Sequence, residues 1–108
     1  MATGRLGAAN LVSSTNTILY TAPATTLATV NVNICNRTAS TVLVRVAVLS
    51  GAIGTLTTAD YIEYDVILSA NGVLERTGIV VSNGNSIMVY SDTSNVSATC
   101  WGFEDITV

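Results

Sequence analysis

The chain has 108 residues, 49% apolar and only 10% charged, with a net charge of −3 and no lysine, histidine or glutamine. That length makes one domain with one core, and the apolar content is enough for the chain to fold, so it need not be disordered. Four scattered arginines under a net negative charge exclude the phosphate-neutralising patch of a nucleic-acid binder.

The first fourteen residues, MATGRLGAANLVSS, carry neither the basic n-region nor the apolar h-region of a signal peptide. They are small and weakly patterned. The expectation is an extended N-terminal arm over residues 1–14 that orders against a neighbouring chain, followed by a single domain over 15–108. GRLGAAN (4–10) has neither the spacing nor the strand–helix context of a dinucleotide-binding loop.

Thr17–Tyr20 reads as a strand, with the lone proline, Pro23, in the turn after it. TVNVNIC (29–35) alternates cleanly, with Val30, Val32 and Ile34 on one face and Asn31 and Asn33 on the other. Period two predicts a half-buried strand. NRTAS (36–40) is a turn. TVLVRVAVL (41–49) then alternates again, with Val42, Val44, Val46 and Val48 on one face. Its second face, Leu43, Arg45, Ala47 and Leu49, is only partly polar. The spacing predicts a hairpin between these two strands. This is the longest apolar-rich run; Arg45 interrupts it, and it is far too short to span a bilayer.

GAIGTLTTA (51–59) reads as the one long loop. Strands follow at Tyr61–Leu68, Val73–Val81, Ser86–Ser91 and Val96–Phe103. Asn71-Gly72 and Asn83-Gly84 mark hairpin turns, because both residue types tolerate the positive φ such turns need. No segment has a helical period. The fold expected is all-β, an antiparallel β-sandwich, jelly-roll-like, of seven or eight strands.

DYIEYD (60–65) holds three of the seven carboxylates. In a regular strand Glu63 and Asp65 share one face with Tyr61 and Ile67, while Asp60 joins Ile62, Tyr64 and Val66 on the other. The three acids then do not converge. Same-face neighbours stand roughly 6.5–7 Å apart, a spacing that suits glycosidase carboxylates by distance alone. The scattered aromatics mark no sugar platform beside them, however, and no calcium-loop pattern is present. The strand reads as a solvated or interface-facing one.

The catalytic inventory is thin. Without histidine there is no Ser-His or Cys-His pair. Cys35 and Cys100 form no CxxC, so no zinc knuckle is written here. Two thiols in such a chain are more often free and buried than bonded. Two sequons, Asn36-Arg37-Thr38 and Asn95-Val96-Ser97, matter only in a secreted eukaryotic protein. The expectation is a protein that is not an enzyme and has no catalytic residue, cofactor or metal.

The low charge is itself informative. Polarity comes from 16 Thr, 10 Ser and 9 Asn. A small domain exposes most of its surface, and this one lacks the lysines that usually blunt sheet edges. Such a surface is expected to be covered by partners. Arg5, Leu6, Leu11, Tyr61, Trp101 and Phe103 are the candidate interface residues.

RLGAANL (5–11), TNTILYTAPA (15–24), VNVNICNRT (30–38), DYIEYD (60–65), ANGVLERTGIVVSNGNSIMVYS (70–91) and NVSATCWGFED (95–105) resemble small structural proteins of tailed bacteriophages, including phages of cyanobacteria. The resemblance covers nearly the whole chain and is strongest from Asp60 to Asp105. It implies a β-sandwich virion protein that decorates or cements the capsid, often as a homotrimer, with the major capsid protein as partner. It implies no nucleic acid and no membrane, and a place on the capsid surface of a particle assembled in the host cytoplasm. A head- or tail-fibre component that binds a host glycan or surface protein is the alternative. The shared motifs are strands and turns, so no functional site carries over.

Overall fold

The computed structural model describes residues 2–107, so Met1 of the expected arm and Val108 of the expected domain lie outside the described residues. Eight strands follow one another: β1 (Thr3–Leu11), β2 (Thr17–Thr21), β3 (Thr26–Asn36), β4 (Val42–Leu49), β5 (Tyr61–Leu68), β6 (Val73–Ser82), β7 (Ser86–Ser91) and β8 (Val96–Ile106). They form two four-stranded antiparallel sheets, ordered β1-β8-β3-β6 and β2-β7-β4-β5. The molecule is an all-β sandwich of these two layers. Its core is the inward stripe of each central strand: Val30, Val32 and Ile34 of β3 and Val96, Ala98 and Cys100 of β8, against Val44 and Val46 of β4 and Ile87 and Val89 of β7. Fully burying one such Val or Ile contributes roughly 1.5–3 kcal/mol.

Two expectations need correction. Residues 3–11 are not a free arm: β1 is an edge strand, in register with β8 of the same chain from Thr3↔Phe103 to Leu11↔Val96. Small residues suit it because β2 passes close by. A Cβ on Gly7 would lie 2.3 Å from the Leu19 carbonyl oxygen. Nor do the predicted hairpins form. β3 and β4 lie in different sheets, as do β5 and β6, and β6 and β7. Asn71 (φ 56°) and Gly84 (φ 79°) do take the left-handed conformation their turns require, but those turns carry the chain from one sheet to the other. An alternating stripe specifies a buried face and says nothing of the lateral partner. Among consecutive strands only β4 and β5 pair, and the long loop joins them.

The β3–β4 and β5–β6 turns are bonded to each other. The Asn71 N–H donates to the Thr38 carbonyl (3.0 Å) and the Asn36 N–H to that of Gly72 (2.9 Å). The Asn36 side chain, 1% exposed, completes the junction. Its amide nitrogen reaches the carbonyls of Ser40, Leu68 and Ser69, and its oxygen accepts from the Thr38 N–H and hydroxyl. A buried polar group so fully satisfied fixes one arrangement of the two turns.

All the register shifts fall on edge strands. β1 carries an extra residue between Arg5 and Gly7, and β2 one between Ile18 and Tyr20. β6 has three residue steps, Ile79 to Arg76, against two on β3, and β5 bulges twice against β4. The interior pairs β3–β8 and β4–β7 run without interruption. A bulge twists an edge and breaks its row of free backbone groups. Here bulges supply the protection that lysines supply elsewhere.

The outer face of the second sheet is not bare. Ala47, Leu49 and Met88 are buried there beneath Ile18, Leu56, Tyr61 and Tyr90. Leu56 comes from the β4–β5 loop, which folds over the sheet through two short 3-10 turns, Ile53–Thr55 and Thr58–Asp60. This second small core explains the partly apolar outer stripe of β4.

Candidate interaction surfaces

The outer face of the first sheet exposes several large apolar side chains. The registers align Thr3, Phe103, Thr29 and Val80 in one row across β1, β8, β3 and β6. The neighbouring rows are Arg5–Trp101–Asn31 and Asp105–Leu27–Ser82. Phe103 is 48% exposed, Val80 59% and Leu27 38%, so three large apolar side chains stand together in water. The three rows bring Thr, Asn and Ser side chains and the charges of Arg5 and Asp105 around them. Asn31 is fixed in place, its Oδ1 accepting from the Gly78 N–H at 3.1 Å.

Of the candidate interface residues, Arg5, Trp101 and Phe103 are thus brought together. The other three are not. Leu11 belongs to the core at 3% exposure. Leu6 packs against that core, because it is the extra residue of the β1 bulge and departs from strict alternation. Tyr61 lies on the other sheet. Leu27 and Val80 escaped the sequence reading, although the run Ile79-Val80-Val81 held the signal: in a strand its middle residue faces outward.

The three acids of DYIEYD diverge, but not as strict alternation predicts. The two β5 bulges break the pattern, and Asp65 adopts a positive φ of 51°. Asp60 caps its own 3-10 turn, its Oδ2 accepting from the Thr57 N–H at 2.8 Å. Glu63 accepts from Arg76 of the opposite sheet at 2.8 Å. Asp65 grips Arg45 through Nε–H (2.6 Å) and NH2 (3.3 Å). Each acid is occupied, and no two of them face a common ligand. Among the described residues no three His, Cys, Asp or Glu side chains gather as a metal site would need.

Around the Arg45–Asp65 pair the structure assembles an aromatic cluster that the sequence did not indicate. The guanidinium lies 4.3 Å from the Tyr64 ring centroid and 4.4 Å from that of Tyr90. Tyr61 meets Tyr64 edge to face, centroids 4.8 Å apart at 81°. The Asp65 hydrogen bonds outweigh the burial that disfavours charge and raise the Arg45 pKa. Thr58, Tyr61 and Tyr64 line an open groove beside the cluster. A shallow hollow between β1 and β8, lined by Ala8, Ala9, Asn10, Ser97, Ala98 and Thr99, offers only small side chains and no titratable group.

Cys35 and Cys100 are both free. Cys100 belongs to the inward core stripe, whereas Cys35 is one residue out of phase with Ile34 on the outer side of β3. Side chains on opposite faces of one sheet cannot bridge. Burial pushes the Cys100 thiol up to about 11.

Among the described residues no helix is long and apolar enough to cross a membrane. Compared with known proteins, the chain matches no family model and no curated protein.

Proposed function

We propose that this chain is a non-catalytic structural protein of a phage virion. It coats the outside of the assembled head as a homotrimer, bound to the major capsid protein, and cements the shell. Its particle assembles in the host cytoplasm. The strand order 1-8-3-6 facing 2-7-4-5 is what results when one long antiparallel hairpin, with 4 and 5 at its tip, rolls over on itself. That order supports a jelly roll, an architecture shared by viral capsid and lectin domains.

The observation that carries this reading is the outer face of the first sheet. The Cα extents of 47 × 28 × 19 Å give each broad face an area on the order of 1,000 Å², enough for the roughly 800 Å² per partner of a standard interface. Phe103, Leu27 and Val80 supply its apolar patch, and the same three rows carry Thr, Asn and Ser together with one charge of each sign, Arg5 and Asp105. The bulged edges favour contact through this face over strand addition at an edge. β1 is already paired within its own chain, so this reading does not rely on it to reach a neighbouring one.

Cementing works by linkage. A protein that binds the assembled shell and not the separated subunits stabilises the shell by mass action. A trimer engages several subunits, so each contact forms at high effective concentration and can be modest. Mass spectrometry and cryo-electron microscopy of the virion test the assignment. Cement occupies many equivalent lattice positions, and a fibre component occupies few. Confinement to one vertex would replace this reading with the fibre alternative.

A further inference from the structure

We propose that the groove beside Tyr64 on the second sheet binds neutral saccharides, with Tyr64 as the stacking platform, Tyr61 as the side wall and Thr58 as a polar contact. This lies on the sheet opposite the face assigned to the shell, so both are free at once.

The bulge in β5 builds the site. Asp65 sits at φ 51°, a conformation rare for a residue with a side chain. Strain of this kind persists only where surrounding structure enforces it, and it gathers at functional positions. A bulge also re-aims side chains. Here it sets Asp65 onto Arg45 and leaves the neighbouring Tyr64 57% exposed. The Tyr64 ring is nonetheless fixed. Arg45 packs 4.3 Å from its centroid, and Tyr61 braces it at 81°. A large aromatic surface held rigid in water has little entropy left to lose on binding.

Charge selects the ligand class. Arg45 is neutralised by Asp65, Arg76 by Glu63, and Asp60 is engaged by the Thr57 N–H. Among the described residues at the groove no uncommitted carboxylate is left to hold a cation, and a second cation on Tyr64 would meet the like charge of Arg45 already packed against it. Among the described residues at the groove no uncommitted cation awaits an anion, since Arg45 and Arg76 are both paired. The groove is open, so a purely apolar ligand would stay half in water. A sugar ring fits all three conditions: it is uncharged, it has a C–H face to lie on an aromatic ring, and its hydroxyls tolerate solvent while bonding to Thr58 and the tyrosine hydroxyls.

The test is a titration of the intact protein with cellohexaose, maltohexaose and chitohexaose, followed through its aromatic ring signals by NMR. Sialyllactose serves as a charged comparator and a proline-rich peptide as an alternative occupant. At least one neutral glycan is expected to move the Tyr61 and Tyr64 signals and leave Trp101, on the other sheet, unchanged. Tyr64→Ala should weaken that binding by about tenfold or more, whereas Tyr64→Phe should keep most of it. The wild-type ring shifts locate the site even if Tyr64→Ala folds poorly. Silence from all three neutral glycans at millimolar concentration overturns the proposal. So do shifts confined to residues away from the groove, or perturbation of the same tyrosines by the peptide or by sialyllactose alone.

Discussion

The hydroxyl of Tyr20, on β2, donates to Glu104 Oε2, on β8, and so ties one sheet to the other at a distance of 2.5 Å. The second carboxylate oxygen accepts from the Ala2 N–H at 2.9 Å, which fastens the start of β1. Burial, then the bond to Glu104, raises the Tyr20 pKa. The same bond, with that from Ala2, lowers the Glu104 pKa. One side chain thus joins two layers and the N-terminal edge.

Tyr20→Phe is expected to cost about 2 kcal/mol at neutral pH, the value of a hydrogen bond to a charged group. The pH signs are opposite for the two partners. Glu104 is depressed when folded, so its contribution is full above the ordinary carboxylate range and is lost as pH falls below about 4. Tyr20 is raised, so its contribution is full below about pH 10 and is lost as pH climbs beyond it. Urea melts from pH 2 to 11 should show both limbs flattened in the variant; unchanged limbs would remove this pair from the account.

Gly7 and Gly102 should tolerate nothing larger. A Cβ at Gly102 would stand 1.9 Å from the Thr29 carbonyl oxygen, and one at Gly7 would stand 2.3 Å from that of Leu19. Either alanine variant must push strands apart, with an expected loss of roughly 3 kcal/mol or more. Gly54 has open space around it, and Gly54→Ala should fall within about 0.5 kcal/mol of wild type. Denaturation midpoints of the three variants check the ranking.

Asn36 and Asn95 should part company as glycosylation acceptors. Asn36 is buried with its amide bonded to three carbonyls, whereas Asn95 is exposed in a turn at φ 63°. Secreted from a eukaryotic cell, the chain should carry glycan at Asn95 alone. Asn36→Ala strands several buried carbonyls and should cost about 3 kcal/mol. Intact-mass spectra and thermal melts read both outcomes.

Much of the fold was legible because the chain alternates so regularly. Val30, Val32 and Ile34, and Val42, Val44 and Val46, fix both strands and their buried faces without further information. What pairs with what was not legible. Asn71-Gly72 and Asn83-Gly84 specify a backbone conformation that serves a turn between sheets as well as one within a sheet. The edge bulges were hidden for a related reason: alternation assumes no extra residue, and one extra residue moved Leu6 inward and split Glu63 from Asp65. The tyrosine cluster joins β4, β5 and β7, a neighbourhood that exists only once the sheet order is known.

Association should be apolar in character. Val80→Asp places a charge on the edge strand β6, in one row with Thr29 and Phe103 on the first sheet's outer face, without touching the core. Sedimentation at micromolar concentration should show a closed oligomer, a trimer, for the wild type and a folded monomer for the variant. The rows around Phe103 and Leu27 carry one charge of each sign, Arg5 and Asp105, so if association uses this face salt should change the wild-type result little. A wild-type monomer at both low and high salt would count against the trimer.

The most direct measurement is the temperature at which virions lacking this protein release their genome, read by a DNA-binding dye before and after purified protein is added back. Undecorated particles should assemble and release DNA at a lower temperature. Wild-type protein should restore the higher one, and Val80→Asp, though folded, should not. If particles with and without the protein release DNA at the same temperature, yet those lacking it fail to adsorb to cells, cementing is wrong and host binding takes its place.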